Sequence, residues 1–307
     1  MLDRANALER AISGMISSDD PERLHAARVA SRRLAAAIDL FAGLTGASDA
    51  VGFSKLVKSV TKMLGNARDL DVRIEWIHGF AGMCAAKERP GARRIELRLA
   101  QKRARVRPLV ARGASGFAEK SAFKATLAEL MEKRIDIESG TCAQEGGARE
   151  RAARAMIYQI DHVARLSGSL SSARARDEHH RLRIGIKRLR YFMEMANGLS
   201  ADPLDAHIEF AKKIQGALGE LHDANVWIES TPKMKAREIE RTERYFGTHR
   251  PFSRLAPGFD AVIRDREAFW SDQYAKTRAL WDKADEEGKL RGLRELFLDA
   301  CRNPQDA

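Results

Sequence analysis

The sequence predicts an all-α protein built from two copies of one helical unit. Three observations carry that reading. Alanine, leucine, arginine and glutamate dominate, β-branched runs are scarce, and apolar residues recur three and four positions apart, the spacing of a helix face. The stretch Leu24–Leu44, LHAARVASRRLAAAIDLFAGL, recurs without a gap as HHRLRIGIKRLRYFMEMANGL from His179 to Leu199. It superimposes His25 on His180, Arg28 on Arg183, Arg32 on Lys187, Arg33 on Arg188 and Leu34 on Leu189. A second block then follows each copy: KSVTKMLGNARDLDV (Lys58–Val72) and KKIQGALGELHDANV (Lys212–Val226), which aligns Leu64-Gly65, Asp69 and Val72 with Leu218-Gly219, Asp223 and Val226. A period this long describes duplicated bundles rather than a short-repeat solenoid. With 307 residues there is room for two compact units, placed at 1–145 and 146–307.

Taken in order, a helix is expected from Pro21 to Gly43. Asp19-Asp20 offer N-cap oxygens, Pro21 suits the first helical position, Glu22 complements the dipole, and Gly43, like Gly198 in the repeat, is a C-cap candidate. Helices follow at Ala50–Met83 and Pro90–Val106, the latter halted before Pro108 because proline lacks the N–H and restricts its predecessor. Another covers Ser121–Glu138, and the small, polar segment Ser139–Gly147 is the expected linker. The second half offers helices at Ala148–Leu170, Arg176–Gly198, Pro203–Ser230, Lys233–Phe246, Phe259–Ala284 and Lys289–Ala300.

Charge narrows the partner. There are 54 Lys and Arg against 43 Asp and Glu, a formal +11, which favours a polyanion over a small acidic metabolite. The excess is concentrated between Lys87 and Arg112, where ten cations face only Glu88 and Glu96. Cys84, Cys142 and Cys301 are widely separated and have no CxxC spacing, so neither a disulfide framework nor a zinc site is indicated, and a reducing cytoplasm fits. The N-terminus has no apolar h-region and no run approaches a membrane span, so an unexported protein is expected.

On the repeated helix, His25, Arg28 and Arg32 share one stripe beside an apolar seam, as do His180, Arg183, Lys187 and Arg190 in the second copy. Partner helices add Lys55, Lys58 and Lys62, then Lys212 and Lys213, with Arg94, Arg98, Lys102 and Arg105 on the basic central helix. Guanidinium forks and ammonium groups suit phosphate oxygens, and histidine adds a donor. The basic central stripe reads equally as a solvated face; for His25 and His180 a partly buried structural role bonded to a neighbouring helix is the alternative, ranked just below ligand contact. Arg33 and Arg188 lie five positions beyond Arg28 and Arg183, so they point elsewhere; Asp69 and Asp223 are their expected carboxylate partners.

Catalytic signatures are missing. Asp69-x-Asp71 could hold magnesium, but its repeat reads Asp223-x-Asn225, and the sequence has no GxxxxGK[ST], GxGxxG, HExxH or GxSxG. Neither a metal nor a cofactor is expected. Phosphohydrolysis through Asp69, Asp71 and a metal is the weakest of the readings.

The blocks HAARVASRRL with LGNARDLDV, and HHRLRIGIKRLRY with LGELHDANV, resemble the CHAD family, the conserved histidine α-helical domain. The resemblance implies two pseudo-symmetric four-helix bundles whose basic residues line a central groove or pore that binds inorganic polyphosphate. It puts His25, Arg28, Arg32, His180, Arg183, Lys187 and Arg190 on the groove, supported by the lysines of the following helices and by His222. Ala35 stands where Arg190 would be, and Ala67-Arg68 stands opposite Leu221-His222, so the halves are expected to contribute unequally. Many relatives carry a triphosphate-tunnel domain that would confer hydrolysis. This chain has no room for one, so binding without catalysis is expected, in the cytoplasm and with polyphosphate or storage granules as a candidate station. The alternative is a nucleic-acid-binding protein gripping the phosphate backbone, although aromatics are only 7% of the chain and, Tyr191-Phe192 apart, are not interleaved with the stripes.

Overall fold

The computed structural model describes residues 2–18, 20–45, 48–118, 148–197 and 204–302. Among them nine α-helices occur and no strand: α1 (Leu2–Ile16), α2 (Pro21–Thr45), α3 (Ser48–Met83), α4 (Arg89–Ala118), α5 (Ala148–Ser167), α6 (Arg176–Ala196), α7 (Asp205–Phe246), α8 (Ala256–Glu286) and α9 (Lys289–Arg302), with single 3₁₀ turns before α6 and α8. The expected helix at 121–138, the linker at 139–147, Gly198 and the boundary between 145 and 146 lie outside the described residues.

α1 is an addition to the sequence expectation. Ala5, Leu8, Ile12 and Met15 are buried at spacings of three and four, one apolar face laid on α2 and α4. At the start of α2, the Glu22 N–H donates to Asp20 Oδ1 at 2.9 Å, the cap the sequence foretold. That helix runs two residues past Gly43.

Two prolines fail to stop their helices. α4 passes through Pro108 and α7 through Pro232, so Lys233–Phe246 is the continuation of the preceding helix. Both prolines are exposed, and so is Ala104, one turn before Pro108, where the freed carbonyl can turn to solvent. α7 stops at Gly247, whose φ of 67° is the left-handed conformation glycine adopts without a Cβ penalty.

Helices α1–α4 pack as neighbours in a ring around Leu8, Ile12, Leu34, Ile38, Val57 and Leu64. Helices α5–α9 close around Ile160, Leu182, Ile186, Leu189, Ile214 and Leu218. Each fully buried Leu or Ile contributes about 1.5–3 kcal/mol. A third core lies between these groups: Leu70 and Ile77 of α3, Ile95 and Leu99 of α4, Trp227 of α7, Phe252, and Phe259 and Val262 of α8. The junction is tight at α4 and α8, where a Cβ on Gly91 would stand 2.1 Å from the Leu255 carbonyl oxygen and one on Gly258 2.2 Å from that of Glu88. Only glycine permits that crossing. A second contact between the groups joins α2 to α6, the two copies of the repeated helix.

Candidate functional site

The contact between α2 and α6 assembles the cations. Arg28 and Arg32 of α2 and Arg183 and Lys187 of α6 act on one another electrostatically, and Asp69 of α3 and Asp223 of α7 share their field. A stripe on each single helix thus becomes one cluster because the helices place their stripes face to face.

The geometry repeats. Arg28 lies across Gly65 of α3, where a Cβ would come within 3.5 Å of its Nε, and Arg183 lies across Gly219 of α7 at 3.6 Å. The matched Leu-Gly pairs therefore give each arginine a flat seat on the next helix, a role the alignment did not reveal. The aspartate one turn further along then acts electrostatically on each guanidinium, in direct contact in the first half. Arg28 Nη2 sits 3.2 Å from Asp69 Oδ1, and Asp223 is the main opposite charge acting on Arg183. Arg28 Nε and Arg183 Nε are buried without a hydrogen-bond partner among the described residues.

These aspartates were expected to pair with Arg33 and Arg188, and that expectation is corrected. Five residues turn a helix by about 140°, which carries Arg33 and Arg188 to the exposed side while Asp69 and Asp223 face the arginine stripe itself.

Burial and like charge set the protonation of the cluster. Burial, then Arg32, Arg183, Arg28 and Arg188, lower the Lys187 ammonium to about 8. Burial also lowers the Arg28 and Arg183 guanidiniums from their ordinary value, without discharging them. Desolvation raises the Asp223 carboxyl despite nearby Arg183, even though its side chain remains open to solvent.

At one edge of the cluster, the rings of His180 and His222 lie 4.3 Å apart. Burial and Arg183 lower His180, and burial, His180 and Arg183 push His222 down to about 4. The first half differs here, as expected: Arg68 occupies the matching place and pairs with Glu22 at 3.3 Å, and His25 is exposed.

Other expected groups are placed elsewhere. Arg190, read as the enrichment of the second half, is held inward by Gln215 at 3.0 Å, by Glu194 and by the face of Tyr191. Arg94 and Arg98 donate to Glu238 of α7 at 2.7 Å each; Glu238 is 15 residues beyond Asp223, about 22 Å along the helix. In both places an acceptor on a different helix, Gln215 or Glu238, takes up the guanidinium, and one helix's own pattern cannot show that partner. Lys58 pairs with Asp39 at 2.8 Å and Lys212 with Glu209 at 2.5 Å, while Lys55, Lys62, Lys102, Arg105 and Lys213 are exposed. Lys62 and Lys102 line a recess of about 680 Å³ together with Asp69 and Arg73.

Arg73 was not foreseen. Burial lowers it to about 10, it donates to Ser230 at 2.7 Å, and it stacks on Trp227, so it links α3 to α7 beside the cluster. Asp71 is buried against Arg103 of α4, turned away from Asp69. The AspxAsp pair therefore does not converge. Among the described residues no group of three or more potential ligands is arranged for a metal, Cys84 and Cys301 are free thiols, and no helix is long and apolar enough to cross a membrane.

Paired helices with facing cationic stripes, and no strand among the described residues, define a class, and likeness to known proteins gives it a family. The family model for the CHAD domain matches residues 1–231, so the chain belongs to the CHAD family. The crystal structure of the CHAD domain from the plant Ricinus communis superimposes with a TM-score of 0.65 at 20% identity, covering 94% of this chain and 89% of that one. PptA from Streptomyces chartreusis matches with a TM-score of 0.59 at 15% identity, covering 91% and 98%. At these identities the likeness is one of fold. No curated protein matches the sequence.

Proposed function

We propose that this protein binds inorganic polyphosphate, without turning it over, in a cationic groove where α2 meets α6. In this reading residues 1–145 and 146–307 are pseudo-symmetric copies, and the groove follows the axis between them. The observation that carries it is the convergence of Arg28, Arg32, Arg183 and Lys187, with the Nε donors of Arg28 and Arg183 buried and unpartnered.

Gathering four cations costs electrostatic free energy that Asp69 and Asp223 offset only in part. A linear polyanion supplies the missing charge along its whole length. Arg28 and Arg183, each held flat on a glycine, can donate to successive phosphate units in charge-assisted hydrogen bonds. Lys187 adds a central point charge, and His180 and His222 extend the second half-site. Lys62 and Lys102 lead into the cluster from the neighbouring recess. A polymer without bases needs no stacking platform, which agrees with a cluster that has no exposed aromatic among the described residues. CHAD membership favours a cytoplasmic protein, with polyphosphate granules as its station where they form.

The test is binding of long-chain polyphosphate by Arg28→Ala and Arg183→Ala. Losing a hydrogen bond to a charged group is worth about 1.5–3 kcal/mol, so each variant should bind about 10- to 150-fold more weakly with unchanged helical content. Unaltered affinity in both variants would place the ligand elsewhere.

A further inference from the structure

A second recess rich in arginine stands apart from this cluster, at the far end of α7. A recess of about 640 Å³ is lined by Arg94 and Arg98 of α4, Glu238 and Arg241 of α7, and Arg254, with Tyr245 and Phe246 on its rim. Glu238 is only 2% exposed and organises three of the arginines. Its carboxylate accepts from Arg94 Nη1 at 2.7 Å, from Arg98 Nε and Nη2 at 2.7 and 2.8 Å, and from Arg241 Nη1 at 3.3 Å. Arg98 supports this carboxylate bidentately, whereas Arg94 and Arg241 each give it a single nitrogen and keep further donors. Four guanidiniums against one carboxylate leave the pocket strongly cationic, and a buried anchor fixes the direction of three of those charges, those of Arg94, Arg98 and Arg241.

The rim has a different chemistry. Tyr245 is 81% and Phe246 58% exposed, and their rings meet edge to face with centroids 4.7 Å apart. Polyphosphate has no use for such rings. They offer a π-face beside a triply charged excess, and the ligand that uses both is a phosphate ester carrying a planar base. We infer that this recess binds a nucleoside triphosphate, with its phosphates on Arg94, Arg241 and Arg254 and its base stacked on Tyr245 or Phe246. The volume admits one nucleotide, and the excess of three positive charges approaches the charge of its triphosphate. Glu238 then has a reason to be buried: without it Arg94, Arg98 and Arg241 would splay apart, and the pocket would lose its shape.

The site is independent of the polyphosphate cluster, about 22 Å away along α7, so the two can be tested separately. ATP and inorganic tripolyphosphate would be titrated into the full-length protein and into Arg241→Ala, Tyr245→Ala and Arg183→Ala. Tyr245 and Arg241 are exposed enough to be replaced without disturbing the core. ATP should bind the parent protein, lose about tenfold or more in affinity in both Arg241→Ala and Tyr245→Ala, and be unaffected in Arg183→Ala. Tripolyphosphate should be indifferent to Tyr245→Ala. The inference is overturned if ATP does not bind, if tripolyphosphate displaces ATP equally at equal charge, or if Arg183→Ala alone removes ATP.

Discussion

Binding of long-chain polyphosphate should take up a proton near pH 8, and Lys187 is the group that accepts it. In the free protein, burial and the arginines Arg32, Arg183, Arg28 and Arg188 hold its ammonium at about 8. A bound polyanion reverses the local field and returns Lys187 toward the ordinary lysine value of about 10.4. The sign follows: a group whose affinity for a proton rises on binding makes binding tighter as pH falls, within the window between the free and bound values. At pH 7 the free lysine is about nine-tenths charged, at pH 8 about half and at pH 9 about one-tenth. Proton uptake should therefore be about 0.1 at pH 7, 0.5 at pH 8 and 0.9 at pH 9. Affinity should weaken about tenfold between pH 7 and pH 9, or about 1.4 kcal/mol. Calorimetric titration at pH 8 in two buffers of different ionisation enthalpy reads the proton directly. Lys187→Arg, which keeps the charge and cannot titrate in this range, should bind at pH 7 and lose the uptake. Zero uptake in the parent, or the same uptake in Lys187→Arg, would refute this reasoning.

Three more outcomes follow from the geometry. Between pH 7 and pH 5.5, polyphosphate affinity should rise as the bound anion lets His180 and His222 charge against the burial that lowers them, and His222→Ala should flatten that rise, measured by the same titration. Gly91→Ala forces a Cβ to 2.1 Å from a backbone oxygen, so α4 and α8 must separate; a loss of about 1–3 kcal/mol should appear as a lowered melting temperature. Arg33→Ala should change stability by no more than about 0.5 kcal/mol and leave polyphosphate affinity within twofold, because Arg33 is exposed on the side of α2 away from the cluster.

What was legible in the sequence was periodic or repeated. The apolar spacing located the helices, Asp20 capped α2, and the duplication singled out His25, Arg28, Arg32 and their counterparts before any contact was known. The face of α1 was equally periodic and could have been read from Ala5, Leu8, Ile12 and Met15. The prolines misled because their usual effect is local: at Pro108 the side where a hydrogen bond is lost is exposed, and long apolar faces on either side of Pro108 and of Pro232 keep each helix continuous. The partners of charged groups were hidden for another reason. Glu238 captures Arg94 and Arg98, Gln215 captures Arg190, and Ser230 captures Arg73 across gaps of 25 to 157 residues, so no single helix's pattern contains them. Asp69 was matched with the wrong arginine because alignment shows which residues recur without showing which of them face each other.

The central claim is that the cluster between α2 and α6 recognises a bare phosphate polymer. Competition at about 0.15 M salt, where loose surface electrostatics are screened, tests it most directly: long-chain polyphosphate, RNA, duplex DNA and ATP would compete, at equal total charge, for labelled polyphosphate on the full-length protein. Long-chain polyphosphate should displace the label at far lower concentration than the others, and Arg28→Ala with Arg183→Ala should abolish that preference. Equal displacement by RNA or DNA would contradict it and make the protein a binder of nucleic-acid backbones.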